Sequence, residues 1–198
     1  KKRKWITGIP ARNDVQCLRA ESDIVLTGAG TINEDSPSMN VRLKKIVASK
    51  AFDQPKRYVF SKDLALDWNA PFFNLPGQKV VVTSKRSLPK SAKNIKNLSL
   101  LHCKSKGRFL DPKNFIEKIS KFQINNILLE SGPNLLGSFG DSNLIDEFIF
   151  YISPEKLGSQ AEYFYKGKNK INFFDNKQFD IVEETQVGKD KKIVLRKK

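Results

Sequence analysis

The chain is 198 residues long, enough for one domain that buries roughly 70% of the surface its unfolded form exposes. With 39% hydrophobic and 10% aromatic residues it is not a disordered polymer, and no apolar run approaches the roughly 18 residues needed to span a bilayer. The formal charge of +15 comes from 36 Lys and Arg spread along nearly the whole sequence, with basic runs only at the two ends (1–4 and 189–198). That distribution reads either as a lysine-rich solvated surface or as attraction for small anions. A nucleic-acid surface would cluster its bases on one element or interleave them with aromatics, so nucleic acid is not the expected partner.

In chain order, residues 10–21 read as a helix: Pro10 at the first turn, then Ala11, Val15 and Leu18 along one face. Residues 23–27 form a buried strand, a small-residue turn follows, and the polar stretch 33–37 is expected to be loop. A lysine-rich connection leads through Pro55 to a strand at 57–60. A polar and aromatic stretch to Gly77 precedes the strand at 79–83, and another strand lies at 98–102. Residues 111–122 suggest a helix with Phe115, Ile116, Ile119 and Phe122 on one face, and 127–130 return to strand. A short helix after Asn134, a strand at 148–152 and two alternating runs (179–187 and 192–196, joined near Gly188) complete the chain. The order is α/β: a mostly parallel sheet flanked by helices, with a C-terminal antiparallel hairpin.

Two cysteines, Cys17 and Cys103, give no disulfide framework, which suits reduced thiols in a cytosolic protein. The single histidine, His102, beside Cys103 makes no zinc ligand set, and no metal is expected. The N-terminus lacks the apolar core of a signal peptide, so the expectation is a soluble, cytoplasmic protein without a membrane partner.

Two junctions carry the chemistry. The apolar runs at 24–26 and 127–129 each end in small residues, Gly28-Ala29-Gly30 and Ser131-Gly132, which leave backbone N–H groups free, and the second then opens a helix. Such a place suits a phosphorylated cofactor. Neither junction fits the spaced-glycine dinucleotide fingerprint or the Walker pattern. In addition, the strands ending at Phe60 and Thr83 run into Ser61-Lys62 and Ser84-Lys85-Arg86. As sheet neighbours these would cradle a phosphate monoester such as the 2′-phosphate of NADPH, although polar residues after a strand are also ordinary turn chemistry.

Trp5-Ile6-Thr7-Gly8, Ala11-Arg12, Asp14-Val15-Gln16, Leu18-Arg19-Ala20, Ser22-Asp23 and Gly30-Thr31 lead to Asp35, Pro37 and Val41-Arg42. This first half closely resembles the riboflavin-biosynthesis pyrimidine reductases. Leu129-Glu130-Ser131-Gly132-Pro133, Leu144-Ile145-Asp146-Glu147 and Tyr151-Ile152-Ser153-Pro154 with Leu157-Gly158 agree in the second half. The resemblance covers nearly the whole chain and implies a dihydrofolate-reductase-like fold. It implies NADPH-dependent reduction of 5-amino-6-(5-phosphoribosylamino)uracil at C1′ of the ribose, giving the ribitylamino product. A homo-oligomer is also implied.

Glu130 then becomes the catalytic candidate, because the reactive carbon is electrophilic only once the sugar ring opens and is protonated. A carboxylate there also suits a helix N-terminus. By resemblance the substrate contacts are Arg3, Arg19, Met39, Arg42 and Glu130, with Arg3 standing where the family usually has a serine. Arg19 reads equally as the exposed face of its helix. The resemblance places the cofactor against Trp5, Thr31 and Asp35, against Ser61, Lys62 and Ser84, and along Gly132, Pro133, Asn134, Leu135, Leu136, Gly137 and Ser138. Trp5 reads equally as core. The family's first strand, with a lysine and a Ser-Leu-Asp-Gly turn, would precede residue 1. The expectation is therefore a single reductase domain, 1–198, as a fragment without that strand and without any N-terminal deaminase domain. The alternatives are a related NADPH reductase of another substrate and, further off, a basic nucleic-acid-binding module.

Overall fold

A computed structural model describes residues 5–49, 52–159, 161–169, 171–175 and 177–198. Pro10 sits in the first turn of α1 (Ile9–Ala20), and Ala11 and Arg19 are its buried residues. β1 (Ile24–Gly28) leads directly into α2 (Ala29–Asp35), then α3 (Lys44–Val47), β2 (Lys56–Phe60), α4 (Pro71–Asn74) and β3 (Lys79–Thr83). A 3₁₀ turn precedes β4 (Leu98–His102), which is followed by a small hairpin, β5 (Ser105–Lys106) and β6 (Phe109–Leu110). The remainder is α5 (Pro112–Ile119), β7 (Ile127–Leu129), α6 (Pro133–Asp141), β8 (Glu147–Ile152), β9 (Phe179–Val187) and β10 (Asp190–Lys197).

Five parallel strands form the central sheet in the order β4-β3-β2-β1-β7. Because successive side chains face opposite sides, Val25, Val59 and Val81 enter one apolar layer with Ile32, Phe72 and Phe73. Ile24, Leu26, Tyr58, Phe60 and Val82 enter the other, with Phe115 and Ile119 of α5 and Phe139 of α6. Burial on both faces is what makes these strands read as short continuous hydrophobic runs. The C-terminal hairpin pairs with β8 in a three-stranded antiparallel sheet, order β8-β10-β9, over a third cluster built on Phe148, Phe173, Phe179 and Leu195.

Two local expectations fail for identifiable reasons. Residues 33–35 are helical, not loop: α2 starts on an extended Gly28 and ends only where Ser36 turns left-handed (φ 46°) ahead of Pro37. It buries a single residue, Ile32, and presents Asn33, Glu34 and Asp35 to solvent, so its composition resembles a loop. Conversely α5 stops at Ile119. Its start is fixed by Asp111, whose carboxylate accepts the Lys113 N–H at 3.0 Å, but Phe122 lies beyond the last turn and is 59% exposed.

Candidate active site

β1 has β2 on one side and β7 on the other, so the chain's outward progression reverses between β1 and β7. Open parallel sheets bind ligands outside the carboxyl ends of strands at such a reversal. Both small-residue junctions sit there, and the Gly132 N–H joins them by donating to Thr31 Oγ1 at 3.3 Å. Between them opens a cleft of about 600 Å³, walled by residues 28–31, Glu34, Asp35, Phe60, Lys62, residues 108–110, residues 132–135, Ser138, Glu162 and Lys166. The donor set fits a phosphorylated dinucleotide. Gly132 caps α6 without a side-chain hydrogen bond, a Cβ on Gly30 would meet nothing within 4 Å, and Lys62, Arg108 and Lys166 supply cations.

Glu130 follows β7, its N–H still donating to Leu26 O at 2.9 Å, so the sheet fixes its backbone. Its carboxylate is gripped by Arg19 from α1: Nε to Oε1 at 2.6 Å and Nη2 to Oε2 at 2.7 Å. Arg19 Nη1 also donates to Asn40 O at 3.1 Å, and Nη2 lies 3.8 Å from Met39 Sδ. Met39 takes a left-handed backbone (φ 53°) while its side chain is buried. A non-glycine residue held there costs on the order of 1–3 kcal/mol, which these contacts offset. Arg42, in the same loop, is exposed. Its N–H donates to Gln16 Oε1 at 2.6 Å, and its Nη1 donates to Ser38 Oγ and to Asn40 Oδ1. Burial and the neighbouring Arg19 charge both push the Arg42 guanidinium down from its ordinary value, and Glu130 pulls it back up.

The loop is pinned from beneath by a residue whose role the sequence does not signal. Arg57 on β2 is fully buried and donates to the carbonyls of Ser38 (3.0 Å), Phe72 (2.8 Å), Leu75 (2.9 Å) and Pro76 (2.6 Å). Burial lowers its guanidinium to about 10, so it stays charged at neutral pH. Lys79, also buried, donates to Phe73 O and Leu75 O alongside it.

Of the residues expected at the cofactor, Thr31, Asp35, Lys62, Gly132, Pro133, Asn134, Leu135 and Ser138 converge on the cleft. Leu136 packs against the third cluster instead. Gly137 is a packing glycine: a Cβ there would come within 2.5 Å of the Lys166 and Gly167 backbone, the strap that crosses α6. Trp5 is 52% exposed, with the Arg12 guanidinium 4.6 Å over its ring, and is not core. Arg3 lies outside the described residues.

The ends of β2 and β3 are indeed neighbours, but their hydroxyls are turned to the backbone. Thr83 Oγ1 and Ser84 Oγ both donate to Lys62 O, at 2.7 and 3.0 Å. Ser61 is buried, and Lys85 pairs with Asp63 at 3.4 Å on the surface. Beside Lys62 on the cleft wall lies Arg108, carried by the β5–β6 hairpin with its guanidinium 4.9 Å over the Phe109 ring. Lys62 Nζ reaches that hairpin at Gly107 O, 3.2 Å. Its sequence signal was Gly107 between two basic residues, a glycine whose φ of +63° makes the turn. A second cavity, about 460 Å³ between the end of α6 and the β9–β10 hairpin, contains none of the expected residues.

Among the described residues no cluster of His, Cys, Asp and Glu could hold a metal ion, both cysteines are free, and no helix is long and apolar enough to cross a membrane.

The chain is similar to known proteins in both sequence and fold. A riboflavin biosynthesis protein RibD of Buchnera aphidicola subsp. Baizongia pistaciae is 34% identical over 205 residues, covering 99% of this chain and 54% of that protein. A protein of Buchnera aphidicola subsp. Acyrthosiphon pisum named 5-amino-6-(5-phosphoribosylamino)uracil reductase is 30% identical, covering 98% of this chain and 96% of its own length. The solved structure of Acinetobacter baumannii RibD superposes with a TM-score of 0.82 at 27% identity, over 100% of this chain and 52% of that one. The chain thus spans about half the length of two of these three, and it shares the dihydrofolate-reductase-like architecture of the solved RibD structure. The RibD C-terminal domain family matches residues 1–192, and the chain belongs to that family.

Proposed function

We propose that this chain reduces 5-amino-6-(5-phosphoribosylamino)uracil to its ribitylamino product with NADPH. A reductase of riboflavin biosynthesis implies a nicotinamide cofactor; the preference for the 2′-phosphorylated form is our reading, supported by Lys62 and Arg108 on the cleft wall. The observation that carries the proposal is the position of Glu130, held just past the end of β7 and two residues before the glycine that caps the cleft helix.

When bound, the nicotinamide supplies the hydride. Gly28, Ala29, Gly30 and Gly132 on the cleft wall would let the dinucleotide come close to backbone, since these small residues leave the room. Arg42 offers its free donors to the substrate's phosphate, and the Met39–Asn40 backbone offers polar groups to the pyrimidine. Glu130 lies within reach of the ribosyl chain, where it stabilises the positive charge that develops as the ring opens and relays the proton at the ring oxygen.

The same reading makes the chain cytoplasmic and self-associating. Ile181 and Val182, exposed on the outer strand β9, provide an apolar edge for the latter. The experiment is to mix the purified chain with NADPH and the phosphoribosylaminouracil and follow loss of reduced nicotinamide together with formation of the ribityl product. Binding of NADPH without turnover would favour a related reductase of another substrate; failure to bind NADPH at all would end the proposal.

A further inference from the structure

The loop between α2 and α3 keeps its shape without support from regular structure. Among the described residues, none of 38–42 takes part in a backbone-to-backbone hydrogen bond, and Met39 is left-handed (φ 53°). Side chains meet its polar groups instead. Arg57 donates to Ser38 O, Arg19 donates to Asn40 O, and Gln16 on α1 accepts the Arg42 N–H.

In the middle of this series stands Val41, 1% exposed, whose own N–H and C=O are taken out of water and both need partners. Gln54 supplies the two together. Its Oε1 accepts the Val41 N–H at 2.9 Å, and its Nε2 donates to Val41 O at 2.9 Å. A carboxamide carries an acceptor and donors side by side, so Gln54 does for Val41 what the opposite residue of an antiparallel ladder would do. The half-buried glutamine is itself tied to the central sheet. Pro55, buried, follows it, and the Lys56 N–H then donates to Asp23 O at 3.0 Å where β2 begins.

We infer that Gln54 is a positioning residue for the loop that meets the substrate. By holding both polar groups of Val41 it sets where Met39, Asn40 and Arg42 lie on either side. The carboxamide is neutral and does not titrate, so its loss leaves the charge of the site as it was and changes only the placement of the loop. The inference rests on the proposed reaction, which puts this loop against the substrate. None of residues 38–42 lies on the wall of the cofactor cleft, so the effect belongs to the substrate and not to the dinucleotide.

Gln54→Met keeps the length of the side chain and removes both bonds. It is expected to raise KM for the phosphoribosylaminouracil by about 10-fold or more, with kcat lowered less than about threefold and the Kd for NADPH within about twofold of wild type. If that variant does not fold, Gln54→Asn carries the same test, because it keeps the carboxamide and shortens its reach by one carbon. Titrating the phosphoribosylaminouracil against the chain without NADPH needs no turnover and should show the same loss of affinity.

A residue that merely satisfies a buried backbone would lower the denaturation midpoint and leave KM and substrate affinity unchanged, and that result overturns the inference. So does an equal loss for substrate and NADPH, which would mean a general distortion. Wild-type chain that binds NADPH but neither binds nor reduces the phosphoribosylaminouracil would instead remove the proposed reaction, and the inference with it.

Discussion

Around Arg19, donors and acceptors are consumed within the protein, through the fork on Glu130, the bond to Asn40 O and the Arg57 pins under Ser38. On the wall of the cleft the cations are less committed: among the described residues Arg108 has its guanidinium over the Phe109 ring, and Lys62 donates one hydrogen bond, to Gly107 O. The first group must hold a reacting carboxylate in one geometry and is over-determined. The second must recognise an anion through its charge and can leave the final geometry to the ligand. Preorganisation is concentrated where chemistry is proposed and relaxed where only binding is.

Breaking the ordered cluster should give the largest effects. Glu130→Gln keeps the shape but puts an amide donor where one oxygen accepts from Arg19, and it cannot carry a proton; turnover is expected to fall roughly 10²- to 10⁴-fold with NADPH affinity nearly unchanged. Steady-state rates and a separate NADPH titration check this, and near-normal turnover would leave Glu130 only a structural role. Arg57→Met should destabilise the fold by about 3 kcal/mol or more, since each carbonyl left without a donor costs about 1–3 kcal/mol where water cannot reach it. Denaturant unfolding reads that loss, and a shift within about 0.5 kcal/mol would mean the carbonyls find other partners.

On the open wall the effects should be smaller and selective. Replacing Lys62 and Arg108 together by Ala is expected to weaken NADPH by roughly 1.5–3 kcal/mol for each charge-assisted hydrogen bond removed, with NADH barely affected. Equal losses for the two cofactors would move both side chains off the 2′-phosphate. Smallest of all, Lys85→Ala should change NADPH affinity by less than about 0.5 kcal/mol, because its exposed pair with Asp63 is worth little and lies off the cleft wall.

The same contrast explains what could be read from sequence. The central strands were legible because both faces are apolar, and the β7–α6 junction because an apolar run meets Ser131-Gly132-Pro133. Neighbouring β2 and β3 ends were foreseeable too, but not that Ser84 would turn its hydroxyl to Lys62 O. Arg108 was missed because a two-residue strand carries no periodicity. Arg57 was missed because an arginine inside the strand run Lys-Arg-Tyr-Val-Phe looks like surface punctuation until α4 and the Ser38 loop close over it. Gly137 carried a family role in the sequence and a packing role in space, which no local pattern distinguishes.

Arg57 also bears on motion. Among the described residues its charge is balanced by no carboxylate but by the Phe72 ring, 5.5 Å away, and by carbonyls from two segments far apart in sequence, Ser38 on one side and Phe72, Leu75 and Pro76, in α4 and the turn after it, on the other. Neither segment can lift away alone without stranding part of a buried cation, so the two should open together. Amide hydrogen exchange would then show residues near 38–42 and 72–76 sharing one opening free energy, distinct from that of the β5–β6 hairpin.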